Sequence, residues 1–241
     1  HSTMFMWPFA DREQFIDLAE AITGARLTYS EIMPGGVRHP LPDNFVPRLH
    51  KAIKNFKTRL VDYERIFFQT TIFKQRTCEI GVLTKSEAIR LSATGPVLRG
   101  SGITYDIRKT DPYGAYSELE FEPAVYDEGD SFARSMVRLE EMRTSCTIME
   151  QVVEKLPKGD IKIKVPKKVP AGESYARVES ARGELGYFII SNGEKYLERV
   201  KISTPCFRHL PVLTFLLRDC ELADIPSIYW SLDYWPPNAD R

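Results

Sequence analysis

The sequence has little that would identify a membrane span or a secreted protein. Its longest apolar runs, such as Leu210–Leu217 and Tyr187–Ile190, are far shorter than the roughly 20 residues that cross a bilayer as a helix. No basic segment followed by an apolar stretch opens the chain, so we predict no signal peptide. If the protein works at a membrane, we expect partner subunits to hold it there.

Common catalytic motifs are also missing. The sequence contains no G-x-S-x-G, no H-E-x-x-H and no Walker loop. The run Gly95–Gly102 has the wrong spacing for a dinucleotide fingerprint and follows a predicted helix, which argues against NAD binding there. The four histidines lie in unrelated places, and each is more typical of a structural or exposed residue than of a catalytic one.

Metal-binding patterns are absent as well. The four cysteines form no C-x-x-C pair and have no histidine at ligand spacing; they are Cys78, Cys146, Cys206 and Cys220. Scattered cysteines of this kind are typical of reduced, mostly buried thiols. We therefore expect the chain to bind no metal or other cofactor by itself.

The composition is that of an ordinary folded protein without a charge bias. Hydrophobic residues make up 43% of the sequence and charged residues 27%. The 33 basic residues balance the 33 acidic ones, so net charge gives no reason to expect nucleic acid as a partner.

Two long segments carry apolar residues at alternating steps of three and four. Pro42–Phe68 has a stripe from Phe45 to Phe67, and Asp130–Lys155 has one from Phe132 to Val153. Each stripe needs an apolar surface of matching length, so we expect the two helices to pack against each other. Further helices are predicted at Asp11–Thr23 (capped by Asp11), Lys85–Leu91 (capped by Thr84), Leu210–Asp219 and Leu222–Trp230.

The spacing of apolar residues changes from a helical to a strand period near the C-terminal third, and this change determines the predicted fold class. Alternating residues indicate three antiparallel strands, at Tyr175–Glu179, Gly186–Ser191 and Leu197–Ile202. We predict a mainly α protein with a small antiparallel β appendage, in the α+β class. The expected division is a helical core (1–157), a connector with the sheet (158–204), and C-terminal helices with a packed tail (205–241).

Two clusters could carry a function. The glycine-rich segment 94–116, expected to be a surface loop, contains Arg99, Asp106 and Arg108, which could form a partly buried ion-pair network. On composition alone, an ordinary surface ion pair is almost as good an interpretation. The tail Asp233–Arg241 includes a Trp and two prolines, so we expect it to be packed rather than free.

These clusters also carry a resemblance. Gly95–Tyr113 closely resembles a segment of the large hydrogenase-like subunit of complex I-type oxidoreductases, and membrane-bound nickel–iron hydrogenases have a looser version. Shorter stretches match this family in the same order along almost the whole chain: Phe9–Glu13, Thr23–Arg26, Pro34–Val37, Val137–Arg143, Ala181–Gly186 and Asp240–Arg241. The resemblance implies the helical-bundle core of the nickel–iron hydrogenase large subunit.

The resemblance also bears on metal chemistry. Hydrogenases of the family end in Asp-Pro-Cys-x-x-Cys-x-Asp-Arg, with two thiolates that bind nickel. Here Trp235 and Asn238 stand at the thiolate positions, and neither is a suitable ligand for nickel. The complex I-type branch also lacks these thiolates, and its former metal cavity is the inner end of a quinone chamber. The sequence is therefore closer to that branch.

The family places its quinone-site Tyr, His and Asp upstream of His1, so the resemblance assigns no catalytic residue here. We expect Arg99, Asp106 and Arg108 to form an electrostatic shell, and the tail to line the former metal cavity with Asp233, Trp235, Asn238, Asp240 and Arg241. Gly35 and Gly36 would allow close approach to a partner's 4Fe–4S cluster. Three departures from the family pattern are Thr28 in place of a histidine beside that cluster, Met33 in place of a basic residue, and the bulky Tyr234-Trp235 pair.

The expected function is that of a subunit of a membrane-bound respiratory oxidoreductase, lying on the cytoplasmic face. With an iron–sulfur small subunit, other peripheral-arm subunits and, indirectly, the membrane arm, it would form the site where electrons pass to a quinone-like acceptor. One alternative is a related energy-converting complex that reduces another acceptor, such as sulfur species, without nickel–iron. Another is a scaffold subunit that only assembles its partners.

Overall fold

The computed structural model describes residues 2–166 and 168–240 and is mainly helical, with two small antiparallel sheets. The helices are α1 (Ser2–Thr23), α2 (Phe45–Tyr63), α3 (Thr71–Gln75), α4 (Lys85–Arg90), α5 (Gly95–Arg99), α6 (Ile107–Thr110), α7 (Ser131–Glu154), α8 (Pro205–Leu216), α9 (Ile225–Leu232) and α10 (Pro236–Ala239). The strands are β1 (Ile32–Met33), β2 (Gly36–Val37), β3 (Gly172–Ser180), β4 (Gly183–Ser191) and β5 (Arg199–Ser203). The predicted α+β class is confirmed.

The described residues form two compact units, one of residues 2–67 and 146–166 and one of residues 68–145 and 168–240. In the first unit, α1 and α2 pack against the C-terminal part of α7. Leu49 and Ile53 of α2 are buried together with Cys146, and the Phe15 and Phe56 rings meet edge to face at 5.4 Å. The predicted packing of the two long helices is therefore confirmed within this unit.

In the second unit, a separate core joins α4, α5, α8 and α9. Its most deeply buried members are Leu83, Ala88, Val97, Val212, Ile228 and Leu232. The sheet pairs β3 with β4 and β4 with β5, all antiparallel, with a tight turn between Ser180 and Gly183. The three predicted strands are confirmed, although β5 begins two residues later than expected.

The prediction that Asp11 caps a helix is wrong, because α1 begins at Ser2 and Asp11 lies in its interior. The sequence suggested a cap because residues with a short side-chain carboxylate are common at that position. Its carboxylate instead accepts hydrogen bonds from Arg59 Nε (3.0 Å) and from the hydroxyl of Tyr63, both on α2. The side chain therefore joins two helices rather than starting one.

The predicted surface loop at 94–116 is also wrong. The segment contains α5 and α6, and residues 94–101 are almost entirely buried. Both helices are too short to show a helical period in the sequence. Their backbone conformation depends on tertiary packing.

The C-terminal helices are displaced from their predicted bounds. Helix α8 begins five residues before Leu210, with Pro205 in its first turn, where a missing N–H does no harm. Helix α9 runs to Leu232, and part of the tail forms the short helix α10, which was not predicted. The short helix α3, opened by the Thr70 side chain, was not predicted.

Candidate functional site

The predicted ion-pair cluster in the second unit is present and centres on Arg99, at the C-terminal end of α5. Its side chain is 1% exposed. Nε donates to Glu141 Oε1 (2.8 Å), and Nη1 donates to Glu179 Oε1 (2.9 Å) and to the Tyr105 carbonyl (2.8 Å). A buried guanidinium is tolerated only with such partners, so Arg99 ties together α5, α7 and β3.

Asp106 and Arg108 form a second ion pair next to Arg99. Asp106 caps α6 by accepting from the Arg108 backbone N–H, and it also binds the guanidinium, with Nη2 2.6 Å from Oδ2. Arg99 Nη1 lies 3.6 Å from the same carboxylate. Burial alone would raise the pKa of Asp106, but the hydrogen bonds of Arg108 and the charges of Arg99 and Arg108 hold it below its usual value.

The cluster has more acidic than basic groups. Asp106, Glu141 and Glu179 face two guanidinium groups, those of Arg99 and Arg108. Burial and the nearby charge of Asp106 raise the pKa of Glu179, although Arg99 opposes this shift. Glu179 therefore takes up a proton more readily than Asp106 as the pH falls.

The tail of the second unit is held by an arginine that the sequence reasoning did not select. Arg182, in the turn between β3 and β4, donates from Nε to the Asp233 carbonyl at 2.8 Å and lies 3.2 Å from its carboxylate. Asp233 ends α9 in the left-handed conformation, with φ of 51°. The tail is packed at Asp233, but Trp235 and the two prolines on which the prediction rested are exposed.

The two residues at the thiolate positions have different environments. Asn238 Oδ1 accepts from the Cys206 backbone N–H at 3.2 Å, so its amide oxygen fastens α10 to the start of α8. Trp235 donates its backbone N–H to Cys206 Sγ (3.3 Å), while its side chain is 53% exposed. Asp240 is exposed, and Arg241 lies outside the described residues.

A close crossing of two backbones fixes Arg182 in place. Gly95, at the start of α5, meets Gly183, at the start of β4, and a Cβ on Gly183 would lie 2.7 Å from the Gly95 nitrogen. Both glycines have positive φ, +62° and +126°. The Thr94 hydroxyl accepts from the Glu184 N–H beside this crossing, at 3.0 Å.

His209 of α8 lies under the same crossing and is fully buried. Its Nε2 is 3.3 Å from the Thr94 nitrogen and 3.1 Å from the Thr94 oxygen. Burial lowers the pKa of His209 to about 4, so the ring is neutral at pH 7. With one nitrogen committed to Thr94, the residue has a structural position.

In the first unit, Gly35 and Gly36 form the turn of the β1–β2 hairpin against the chain's own connector. A Cβ on Gly35 would lie 2.7 Å from the Ile163 carbonyl oxygen, and one on Gly36 would overlap the Ile161 carbonyl. The Val37 N–H donates to the Ile161 oxygen at 3.0 Å. Intrachain packing alone therefore requires both glycines, and their role beside a partner's cluster stays a prediction.

The sequence reasoning missed Glu141, Glu179 and Arg182. Their partners are 42, 80 and 51 positions away in the chain, so no local pattern reveals the contacts. Among the described residues, no group of three or more His, Cys, Asp or Glu side chains could hold a metal ion. No helix in the described part of the chain is long and apolar enough to span a membrane.

Comparison with solved structures defines the class of fold. The chain is similar to one in the membrane-bound sulfane sulfur reductase (MBS), an archaeal respiratory membrane complex, with a TM-score of 0.94 and 39% sequence identity. The match covers 98% of this chain and 66% of that one. The fold is therefore that of a subunit found in respiratory membrane complexes.

Comparison of sequences defines the family. Residues 1–169 and 163–241 match the family described as "Respiratory-chain NADH dehydrogenase, 49 Kd subunit", and the chain belongs to it. It is 40% identical to the D-type subunit of F(420)H(2) dehydrogenase from Methanosarcina mazei and 39% identical to the D-type subunit of NADH-quinone oxidoreductase from Desulforamulus reducens. These matches cover 99% and 96% of this chain but only 66% and 64% of the relatives, so the chain spans slightly less than two thirds of their length.

Proposed function

We propose that this chain is part of a subunit of a membrane-bound respiratory oxidoreductase and that it helps to form the site of electron transfer to a quinone-like acceptor. The observation that carries the proposal is the family membership together with the buried charge cluster on the segment most similar to the family. Electron transfer to a quinone needs a site whose electrostatic potential is fixed away from water, and the buried ion pairs of Arg99 and Arg108 hold fixed charges in such a setting.

We divide the proposed site residues into an electrostatic shell and a cavity lining. Arg99, Asp106 and Arg108 would set the electrostatic potential, and the tail residues Asp233, Trp235, Asn238, Asp240 and Arg241 would line the inner end of the acceptor chamber. The Arg182–Asp233 contact supports the second assignment, because it holds the tail against the β3–β4 turn.

We further propose that the core follows the arrangement of nickel–iron hydrogenase large subunits without their metal. The tail does not fit a nickel site. The Asn238 amide oxygen accepts a backbone hydrogen bond, the Trp235 ring has no donor atom for a metal, and burial raises the pKa of the Cys206 thiol, which disfavours the thiolate.

The partners we propose are an iron–sulfur small subunit with a 4Fe–4S cluster, other peripheral-arm subunits and, through them, a membrane arm. The chain itself would lie at the cytoplasmic face and bind no cofactor. A relative in Aquifex aeolicus carries the joint designation C/D 1 among the subunits of NADH-quinone oxidoreductase, and this chain matches 43% of it. That joint designation supports a C-type subunit as a neighbour.

The alternative acceptor is a sulfur species. The similarity to a chain of a sulfane sulfur reductase favours it specifically, at 39% identity, which equals the identity to the quinone-linked relative from Desulforamulus reducens. Fold similarity alone does not choose between the two acceptors, because one scaffold hosts several reactions.

The test uses the intact purified complex that contains this chain. We expect a short-chain quinone to be reduced and to shift the electron paramagnetic resonance signal of the partner's cluster, with no stoichiometric nickel by elemental analysis. Reduction of an organic trisulfide without quinone reduction would establish the alternative. A complex in which neither acceptor reacts or shifts the cluster signal would make this chain a scaffold, and one nickel per chain would contradict the proposed tail.

A further inference from the structure

Arg138, on the N-terminal part of α7, is a partly buried arginine whose guanidinium has an incomplete set of partners. Its Nη1 donates to the Ser231 carbonyl (2.6 Å) and to the Arg134 carbonyl (3.0 Å). Nε and Nη2 are buried, and neither has a hydrogen-bond partner within the described part of the chain. Unsatisfied buried donors are rare and costly, and two on one charged group need an explanation.

The neighbouring arginine shows that this arrangement is not a general property of the helix. Arg134, one turn earlier, is also buried, and each of its three nitrogens has an acceptor. Nε donates to the Ser231 hydroxyl (3.0 Å), Nη1 to the Gly129 carbonyl (2.8 Å) and Nη2 to the Gly81 carbonyl (2.9 Å). Among the described residues, the same helix therefore gives every nitrogen of one guanidinium an acceptor and leaves two nitrogens of the next one without any.

Nearby carboxylates do not complete Arg138, because they are engaged elsewhere. Asp233 is the strongest favourable charge acting on it, but its carboxylate binds Arg182. Glu141 also acts on it favourably, but its carboxylate binds Arg99. Arg138 and Arg182 thus share one acidic group, which leaves a positive charge at the tail. The Arg182 and Asp233 side chains keep 30% and 37% exposure, so the rim of this region is accessible.

We propose that Nε and Nη2 of Arg138 form a two-donor binding site for the electron-rich end of the acceptor, with the Arg182–Asp233 pair as its rim. The ligand atom is a quinone carbonyl oxygen or, with the alternative acceptor, a terminal sulfane sulfur. Two N–H groups on one rigid guanidinium suit a single acceptor atom or a fork of two. The inference rests on the proposed function and adds a binding residue that is present in this chain.

The experiment compares Arg138→Met and Arg138→Lys with the wild type in the intact complex. The matched control is Arg143→Met, on the same helix, where the guanidinium binds Glu140 instead. Two quantities are measured for each complex: the KM and kcat for a short-chain quinone, and the infrared stretching band of the same quinone labelled with carbon-13 at its carbonyls. An organic trisulfide replaces the quinone in a parallel kinetic series.

We expect the carbonyl stretching frequency of the quinone to be lower in the wild-type complex than in solution. This shift should be absent in Arg138→Met and partly retained in Arg138→Lys. The KM should rise about tenfold or more in Arg138→Met, because the ligand loses a charged donor pair, while the control stays near the wild type. If only the trisulfide is reduced, the same rise in its KM is expected.

Three outcomes overturn the inference while leaving the proposed function intact. One is a wild-type complex that reduces quinone with an unshifted carbonyl band. A second is an assembled Arg138→Met complex whose KM equals that of Arg143→Met. The third is loss of assembly in both Arg138 variants together with an unshifted wild-type band, which would assign the free donors to a partner's carboxylate. A wild-type complex that reduces neither acceptor contradicts the proposed function instead.

Discussion

Arg99 and Arg134 are both buried in the second unit, and the chain neutralises them in different ways. Arg99 has carboxylates of three residues within 4 Å, whereas Arg134 donates to backbone carbonyls and serine hydroxyls. Burial lowers the pKa of Arg134 to about 9, which keeps the group charged at pH 7. The chain thus compensates the desolvation of Arg99 with ionised carboxylates and that of Arg134 with neutral dipoles.

The difference teaches that a buried arginine does not by itself indicate a functional site. Arg134 closes the second unit around Gly81, Gly129 and Ser231, and nothing about its contacts is left open. The Arg99 cluster has an excess of acid, so its charge state depends on pH. Of the two arrangements, only the Arg99 cluster can respond to a change in charge nearby.

The largest expected effect comes from removing each guanidinium in turn. Arg99→Met leaves the carboxylates of Asp106, Glu141 and Glu179 without their shared cation, which should lower the free energy of unfolding at pH 7 by about 3–5 kcal/mol. Arg134→Met leaves neutral acceptors unpaired, and we expect a loss of about 2–3 kcal/mol. Urea unfolding followed by tryptophan fluorescence measures both.

The pH dependence of these losses separates the two mechanisms. The loss of unfolding free energy in Arg99→Met should become smaller as the pH falls from 7 toward 5, because protonation reduces the repulsion between the uncompensated carboxylates. The loss of unfolding free energy in Arg134→Met should vary less with pH, since carbonyls and hydroxyls do not titrate there, although His209 senses the missing charge. Equal pH dependence of the two variants would remove the distinction between ionic and dipolar neutralisation.

The next effect concerns His209, the neutral buried side chain beside the arginine-rich region. Its pKa falls from 6.5 to about 4 on folding, because burial and the charges of Arg138 and Arg134 disfavour the imidazolium. The unfolded chain therefore binds the proton more readily, and the stability contributed above pH 6.5 is lost as the pH falls toward 4. The difference corresponds to about 3 kcal/mol.

His209→Asn should remove this part of the pH dependence. We expect the wild type to lose about 3 kcal/mol more than the variant between pH 7 and pH 4, measured as the difference between two urea titrations. Parallel stability curves for the two proteins over this range would show that the histidine titrates normally.

The smallest effect tests the acid excess of the Arg99 cluster. Because the pKa of Glu179 is raised on folding, its contribution to stability is present at low pH and is lost as the pH rises from its unfolded value through the folded one. Glu179→Gln keeps an oxygen for Arg99 but cannot ionise. At pH 7 we expect the free energy of unfolding to change by about 1 kcal/mol, the net contribution of one hydrogen bond.

The informative quantity is the difference between Glu179→Gln and the wild type as a function of pH. The variant should become relatively more stable as the pH rises from 4.5 to 7, which has the opposite sign to the His209 contribution. A difference that does not vary with pH would show that folding leaves the pKa of Glu179 unchanged, which contradicts the proposed effect of burial on this carboxyl.

The sequence predicts well the elements whose side chains repeat over several turns or residues. Helices α2 and α7 and the three strands of the larger sheet follow directly from such periods, and Thr84 was recognised as a cap that accepts from the Glu87 N–H. The short helices α5 and α6 were not predicted, because one or two turns show no helical period. Their dihedrals follow from contacts such as the one between Gly95 and Gly183.

The site was predicted only where both partners are close in the chain. Asp106 and Arg108 are two positions apart, and their ion pair could be expected. The contacts of Arg99 with Glu141 and Glu179 depend on the fold. One usable signal was overlooked: Arg134 and Arg138 repeat at a spacing of four beside the buried Ala133 and Val137, which places like charges on an apolar face.

The crossing of Gly95 and Gly183 has a consequence for the evolution of this sequence. Two residues far apart in the gene occupy one point in space, backbone against backbone, and both have positive φ. A larger residue at either position gains no relief from a change at the other, because neither has a side chain left to shorten. Descendants of this chain are therefore expected to keep the two glycines together or to lose the β3–β4 turn, and Arg182 with it.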